Sequence, residues 1–154
     1  MDRTDREILQ CLHENARMTA SAIASRVNLS VSAVTERIHR LEERGIILGY
    51  SLLLNETAIG MPTTAYLEVT LSGSEHTDTF LRSVCAMDEI LRCDHLAGEF
   101  DFLLLTQAPH IDRIHELHRT LRKLHGVKQI RVRFIMKTEK RQTATLPTPH
   151  EENT

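Results

Sequence analysis

A chain of 154 residues, 41% of them hydrophobic and 26% charged, has the make-up of an ordinary globular protein, and at this length a core forms without disulfides or a structural metal. Three widely spaced cysteines, no apolar run near the ~18 residues of a membrane span, and an amino terminus without signal-peptide order argue against secreted and membrane classes and predict a cytoplasmic protein. The formal net charge of -2 hides an uneven distribution. Seven arginines face seven acids in the first fifty residues, eleven acids face three arginines in residues 51–118, and nine basic residues face Glu139 alone in residues 119–141. The average therefore does not exclude a nucleic-acid partner.

The apolar residues recur at helical spacing from Asp2 to Gly45. Ile8, Leu9 and Leu12 form the stripe of a first helix that Asp2 or Thr4 could cap, ending near Asn15-Ala16-Arg17. A short second helix starts near Met18-Thr19, with Ile23 and Val27 inward and small Ala20 and Ala24 where another helix comes close. Asn28 ends it, because asparagine tolerates the left-handed backbone of a tight turn, and Leu29 is expected to plug the angle between helices. Ser30 caps a third helix reaching about Arg44, with Val34, Ile38 and Leu41 as its buried stripe and Gly45 as its stop. Residues 1–46 thus read as a helix-turn-helix, winged-helix-like domain.

Residues 47–62 are expected to be a connecting strand, carrying Leu52, Leu53 and Leu54, and a hinge at Gly60-Met61-Pro62. Residues 63–138 follow the order strand (64–71), helix (77–87), strand (90–97), tight loop, strand (100–107), helix (111–124), strand (127–137), the βαββαβ plan of a ferredoxin-like domain. The fold class is therefore α+β. Phe80, Leu81, Val84, Ile111, Ile114, Leu117, Leu121 and Leu124 should cover one sheet face against Ala65, Leu67, Val69 and Leu71. The other face stays open, which predicts association into at least a dimer. Residues 139–154, polar and punctuated by proline, read as a disordered tail.

With its stripe buried, the third helix points Ser32, Glu36, His39, Arg40 and Glu43 outward and leaves Thr35 and Arg37 on its flanks. Those side-chain types suit base edges in a major groove, while Ser30 and the helix N-terminus suit phosphate, and Arg26 on the preceding helix is a further DNA-binding candidate. The plainer alternative is a solvated helix whose arginines pair with Glu36, Glu42 and Glu43; the preceding short helix and tight turn favour double-stranded DNA.

Several motifs fall in order. They are Asp5-x-x-Ile8-Leu9 with Leu12, Ala16-Arg17-Met18-Thr19, Ile23-Ala24-x-Arg26-Val27-x-Leu29-Ser30, Val34-x-x-Arg37-Ile38-x-Arg40-Leu41-Glu42, Gly45-Ile46-Ile47-x-Gly49-Tyr50, Gly98-Glu99-Phe100-Asp101-Phe102-Leu103 and Gly126-Val127. Together they resemble the Lrp/AsnC, or feast/famine, family over about residues 2–137. Asn28 stands where that family usually has glycine, and Val132 where many members have threonine. The resemblance implies a bacterial or archaeal, nucleoid-associated transcription regulator. Its sensor domain would take a small effector, often an amino acid, and its dimers would commonly join into octamers. It places the effector site between dimers, near the loop Ala97-Gly98-Glu99-Phe100-Asp101, with His95, Leu96, Ile111, Phe134 and Ile135 near the pocket. From the residues alone, Gly98 and the acids fit either a carboxylate- and ammonium-binding loop or a plain tight hairpin.

His110, His115, His118 and His125 cluster around one predicted helix but complete no obvious tetrahedral set, so no metal site and no cofactor are assigned. No nucleophile elbow, phosphate loop or activated cysteine supports catalysis, and the chain is expected not to be an enzyme. Three alternatives carry a test: a sirohaem-type tetrapyrrole decarboxylase of similar architecture, an effector-independent architectural DNA-binding protein, and an assembly partner in mixed oligomers.

Overall fold

A computed structural model describes residues 1–141 and Leu146. Most of the tail expected over 139–154 lies outside the described residues. The chain divides into two compact units, one built on Met1–Leu53 and the other on Leu54–Lys140, with the division inside the segment 47–62.

The first unit holds three helices: α1 (Arg3–Glu14), α2 (Ala20–Val27) and α3 (Val31–Glu43). Each starts on a side-chain cap, from Asp2, Thr19 and Ser30 respectively, which satisfies amide groups that the first turn leaves free. Asp2 and Asp5 form a reciprocal capping box, Asp2 Oδ1 accepting from the Asp5 amide at 2.7 Å and Asp5 Oδ2 from the Asp2 amide at 3.2 Å. Asn28 closes α2 at φ 55°, ψ 48°, the left-handed conformation expected of it. Ile8, Cys11, Ile23, Ala24, Val34 and Leu41 make the core, with Leu9, Leu12, Val27 and Ile38 packed at its edge. Leu29 does not plug the helix angle fully; it remains about one-third exposed.

The segment 46–62 departs from expectation, since no strand is assigned to it. A strand exists through its ladder, and this segment has no pairing edge within one chain. Ile47 packs against the edge of the helical core, but Leu48, Leu52, Leu53 and Leu54 stay in solvent, Leu48 at 94%, and Tyr50 is tied back to α3 by its phenol, which donates to Glu42 Oε1 at 2.9 Å.

The second unit carries β1 (Thr63–Leu71), a single 3-10 turn (Ser74–His76), α4 (Thr77–Cys85), β2 (Ile90–His95), β3 (Phe102–Ala108), α5 (Ile111–Arg122) and β4 (Val127–Phe134). The strands form one antiparallel sheet in the order β2-β3-β1-β4, the ferredoxin-like arrangement. Alternation places Ala65, Leu67, Val69, Leu71, Phe102, Leu104, Ala108 and Ile130 in one core with Phe80 and Val84 of α4 and Ile114, Leu117 and Leu121 of α5. Phe80 meets Phe102 at a ring separation of 4.9 Å. Ile111, expected in the same stripe, is instead 61% exposed as the first residue of α5.

The alternate positions form the second sheet face, where Tyr66, Glu68 and Thr70 of β1 lie beside Leu103, Leu105 and Gln107 of β3 and Gln129, Arg131 and Arg133 of β4. Glu68 is buried, and Gln107 Nε2 is shielded without a hydrogen-bond partner.

Candidate nucleic-acid interface and effector site

α3 exposes Ser32, Thr35, Glu36, His39, Arg40 and Glu43, and also Val31 and Glu42. At its start Ser30 Oγ accepts from the Ala33 amide at 3.2 Å and lies 3.1 Å from Ser32 Oγ; Thr35 Oγ1 donates to the Val31 carbonyl at 3.0 Å. Arg40 pairs with Glu36 at 3.0 Å and His39 with Glu43 at 3.2 Å, both exposed i,i+4 contacts that cost little to exchange for another partner. Arg26, on α2, reaches Glu14 of α1 at 2.8 Å, and that carboxylate raises the guanidinium's proton affinity.

Arg37 is placed differently. It is half-buried and donates to Asp2 Oδ2 at 2.6 Å and Asp5 Oδ1 at 2.7 Å, joining α3 to the capping box of α1. The two carboxylates, Asp2 first, raise its proton affinity, while the Asp5 amide and then Arg37 hold the Asp2 carboxyl below its ordinary range. Asp5 is 8% exposed, a buried charge satisfied by this arrangement. Its role was not read from the sequence, although the Asp2/Asp5 spacing and its place one turn before Ile8 on the inward face both signalled it. Arg37, Arg40 and Arg44 border one hollow of about 310 Å³ with Met1, Asp2, Asp5 and Leu41.

The expected effector residues fall into two groups. His95, Leu96, Gly98, Glu99, Phe100 and Asp101 gather at one end of the sheet: the Leu96 amide donates to the Asp101 carbonyl at 2.8 Å, the Asp101 amide to Val69 at 2.9 Å, and Asp101 Oδ2 accepts from the Leu71 amide at 2.7 Å. The Asp101 carboxylate therefore anchors the loop to β1. His95 stacks on Phe102 at 4.5 Å. Phe134 and Ile135 sit at the other end, where Phe134 pairs with Ala65 and the Ile135 amide bonds Thr64; Ile111 follows the end of β3 that pairs with Thr63. Val69 lies four residue steps from Ala65 along β1, roughly 13 Å of strand. One chain does not bring the nine residues together.

Beside the loop is a cavity of about 180 Å³ lined by Glu68, Thr70, Glu99, Phe100, Lys128, Gln129 and Arg131. Only Glu99 and Phe100 were expected there. Glu68, Thr70, Gln129 and Arg131 come from alternate positions of β1 and β4, and Lys128 from the register shift beside Thr70 and Leu71, so their convergence needs the sheet register. Glu68 binds Arg133, and Arg131 Nη1 binds Glu99 at 2.5 Å, so the wall offers both charge signs.

Of the clustered histidines, His115 and His118 have ring centres 6.5 Å apart, while His125 turns to His76, a residue outside the predicted cluster. Burial, then Arg122 and His115, pushes the His118 imidazole down. Among the described residues no three His, Cys, Asp or Glu side chains converge as metal ligands, and no helix is long and apolar enough to cross a membrane.

Comparison with known proteins agrees with this geometry in both halves. Residues 1–47 match the family model for winged helix-turn-helix DNA-binding domains, and residues 64–145 that for the Lrp/AsnC ligand binding domain. The chain is 34% identical over 143 residues to the leucine-responsive regulatory protein of Escherichia coli K12, covering 91% of this chain and 87% of that one. A Neisseria meningitidis transcriptional regulator solved with L-methionine aligns at TM-score 0.87 and 33% identity, covering 94% and 96%. A feast or famine regulatory protein from M. tuberculosis, also complexed with L-methionine, aligns at 0.88 and 30%, covering 95% and 99%. These relatives are regulators rather than enzymes, which removes the decarboxylase alternative. A winged helix-turn-helix joined to an Lrp/AsnC ligand binding domain makes the chain a DNA-binding transcriptional regulator of the Lrp/AsnC family.

Proposed function

We propose that the chain represses or activates transcription by binding specific DNA through α3, and that an amino acid bound at its second unit modulates that binding. Ser32, Thr35, Glu36, His39 and Arg40 face the bases; Ser30, Arg26 and the start of α3 meet phosphate. Arg37 would have to leave two carboxylates to reach a base, so its part is to orient α3. The observation that carries the effector reading is the cavity beside the loop 96–101. It sets Glu68 and Glu99 beside Lys128 and Arg131 within amino-acid dimensions, carboxylates and cations that could exchange their present partners for a zwitterion's ammonium and carboxylate. The L-methionine complexes of two relatives support the ligand class.

The assembly is a dimer or larger. Its support is the sheet face carrying Tyr66, Leu103, Leu105 and the unpartnered Gln107 amide, together with exposed Leu52, Leu53 and Leu54. Association also accounts for the divided effector residues, since one chain's loop 96–101 can meet another's Ile111, Phe134 and Ile135. The test is calorimetric titration with each of the common amino acids. Saturable binding of one or a few, weakened in Glu99→Gln, is expected; no heat from any of them would remove the amino-acid effector and leave an effector-independent DNA-binding protein.

A further inference from the structure

Charge in the second unit is unevenly placed, and no acid stands between Glu116 and Glu139 in the sequence. Arg92, Arg113, Arg131, Arg133 and Lys137 each hold a carboxylate of a neighbouring Asp or Glu. Arg119, Arg122 and Lys123 are exposed and, among the described residues, hold none. They share one face of α5. Spacings of three and four residues put them opposite the buried stripe Ile114, Leu117 and Leu121, and Lys123, the C-cap, keeps helical dihedrals at φ -85°, ψ -12°. Two acids come near that face. Glu116 on its flank is taken by Arg113 at 2.8 Å, and Asp112 lies about 10 Å further along the axis, in the first turn, where the helix dipole favours an acid. The dipole also favours cations in a last turn, but it acts along the axis and does not select a side. Arg122 Nη1 donates to the Lys128 carbonyl at 2.9 Å, which fixes the guanidinium at the surface and leaves its other N–H groups for a second acceptor. The uncompensated charge is felt at His118, whose imidazole is pushed down by burial first and by Arg122 second.

We propose that this face of α5 binds the phosphate backbone of double-stranded DNA, as a second contact surface in addition to α3, through Arg119, Arg122 and Lys123. The proposal rests on the chain's being a DNA-binding regulator. The three cations lie within about 6 Å of helix axis, a length over which a duplex presents roughly three phosphates. The set is purely cationic, without the mixed donors and acceptors that α3 presents, so it suits phosphate rather than base edges and adds affinity without sequence preference. An anionic bilayer fits less well, since Leu117 and Leu121 point into the core and leave this end of the helix no apolar side chain to insert.

The experiment is anisotropy titration of the full chain with its own upstream duplex and with a scrambled one, over a salt series. The panel is wild type, Arg119→Gln/Lys123→Gln, the same pair with Arg122→Gln added, the control Arg82→Gln/Arg92→Gln from elsewhere in the second unit, and Arg40→Ala on α3. The slope of log affinity against log salt is expected to fall in magnitude by about 2 in the double variant and about 3 in the triple, on both duplexes alike, with the preference for the upstream duplex and the slope of the control unchanged. A slope unaltered in the double variant, as a patch serving an acidic protein partner would give, or lowered equally in the control, would overturn the proposal. Weakened binding in Arg40→Ala alone would then leave the α3 reading standing and remove only the second surface. Should the triple variant lose its helical circular dichroism signal, the double variant decides alone.

Discussion

Arg37 and Arg40 lie three residues apart on α3, but their surroundings assign them different work. Arg40 holds one exposed glutamate and can trade it for a base or phosphate; Arg37 is pinned between two aspartates, one of them buried. Arg40→Ala should weaken specific DNA binding with the melting temperature unchanged and reduce the salt slope by about 1 if the contact is to phosphate, as anisotropy titrations over a salt series would measure. Arg37→Ala should instead lower the melting temperature. Asp2→Ala removes an N-cap and should cost about 1 kcal/mol in denaturant unfolding. Because the folded Asp2 pKa lies below its unfolded value of about 3.9, its stabilisation is full above that value and is lost as pH falls through the folded one. His118 acts in a higher window. Its depressed folded pKa gives stabilisation that is full above the unfolded value of about 6.5 and lost as pH falls below it, so His118→Gln should flatten the fall in melting temperature between pH 7 and 5. The caps at Ser30 and Asp2 and the outward face of α3 were legible in the sequence because helical periodicity fixes them locally. The Arg37 link was not, because it joins residues 32 and 35 positions apart.

Elements were legible where one rule governs them. Asn28 was expected in the left-handed region and is found there, so Asn28→Gly should change stability by no more than a few tenths of a kcal/mol, while Asn28→Val should cost about 1–2 kcal/mol, measured by urea unfolding. The strand ends and the loop 96–101 were less legible. The predicted third strand begins at residue 100, but the ladder begins at Phe102, because Phe100 and Asp101 belong to the anchored loop. The cavity beside that loop depends on the β1–β4 register, which pairs Glu68 with Arg131 across the sheet, and periodicity within one strand carries no such information.

At the scale of the whole molecule, the features that one chain leaves incomplete point the same way. Leu52 and Leu53 are exposed in a segment without a ladder, an open sheet face shields an unpartnered amide, and the expected effector residues sit at two ends of one sheet. Light scattering should give a mass at least twice that of the chain, and Leu52→Asp/Leu53→Asp should shift it towards the monomer with the helical signal retained. The alternation of Ala65 to Leu71 made the covered face legible in advance, whereas the partner of the open face is absent from any single sequence. The central claim, that α3 reads DNA and the second unit adjusts that reading, is tested most directly by binding of the full chain to its own upstream DNA. That affinity is measured against a scrambled duplex at physiological salt, with and without a pool of amino acids. Tighter binding to the upstream duplex, altered by the pool, is the predicted result; equal weak binding to both duplexes, indifferent to the pool, would contradict it.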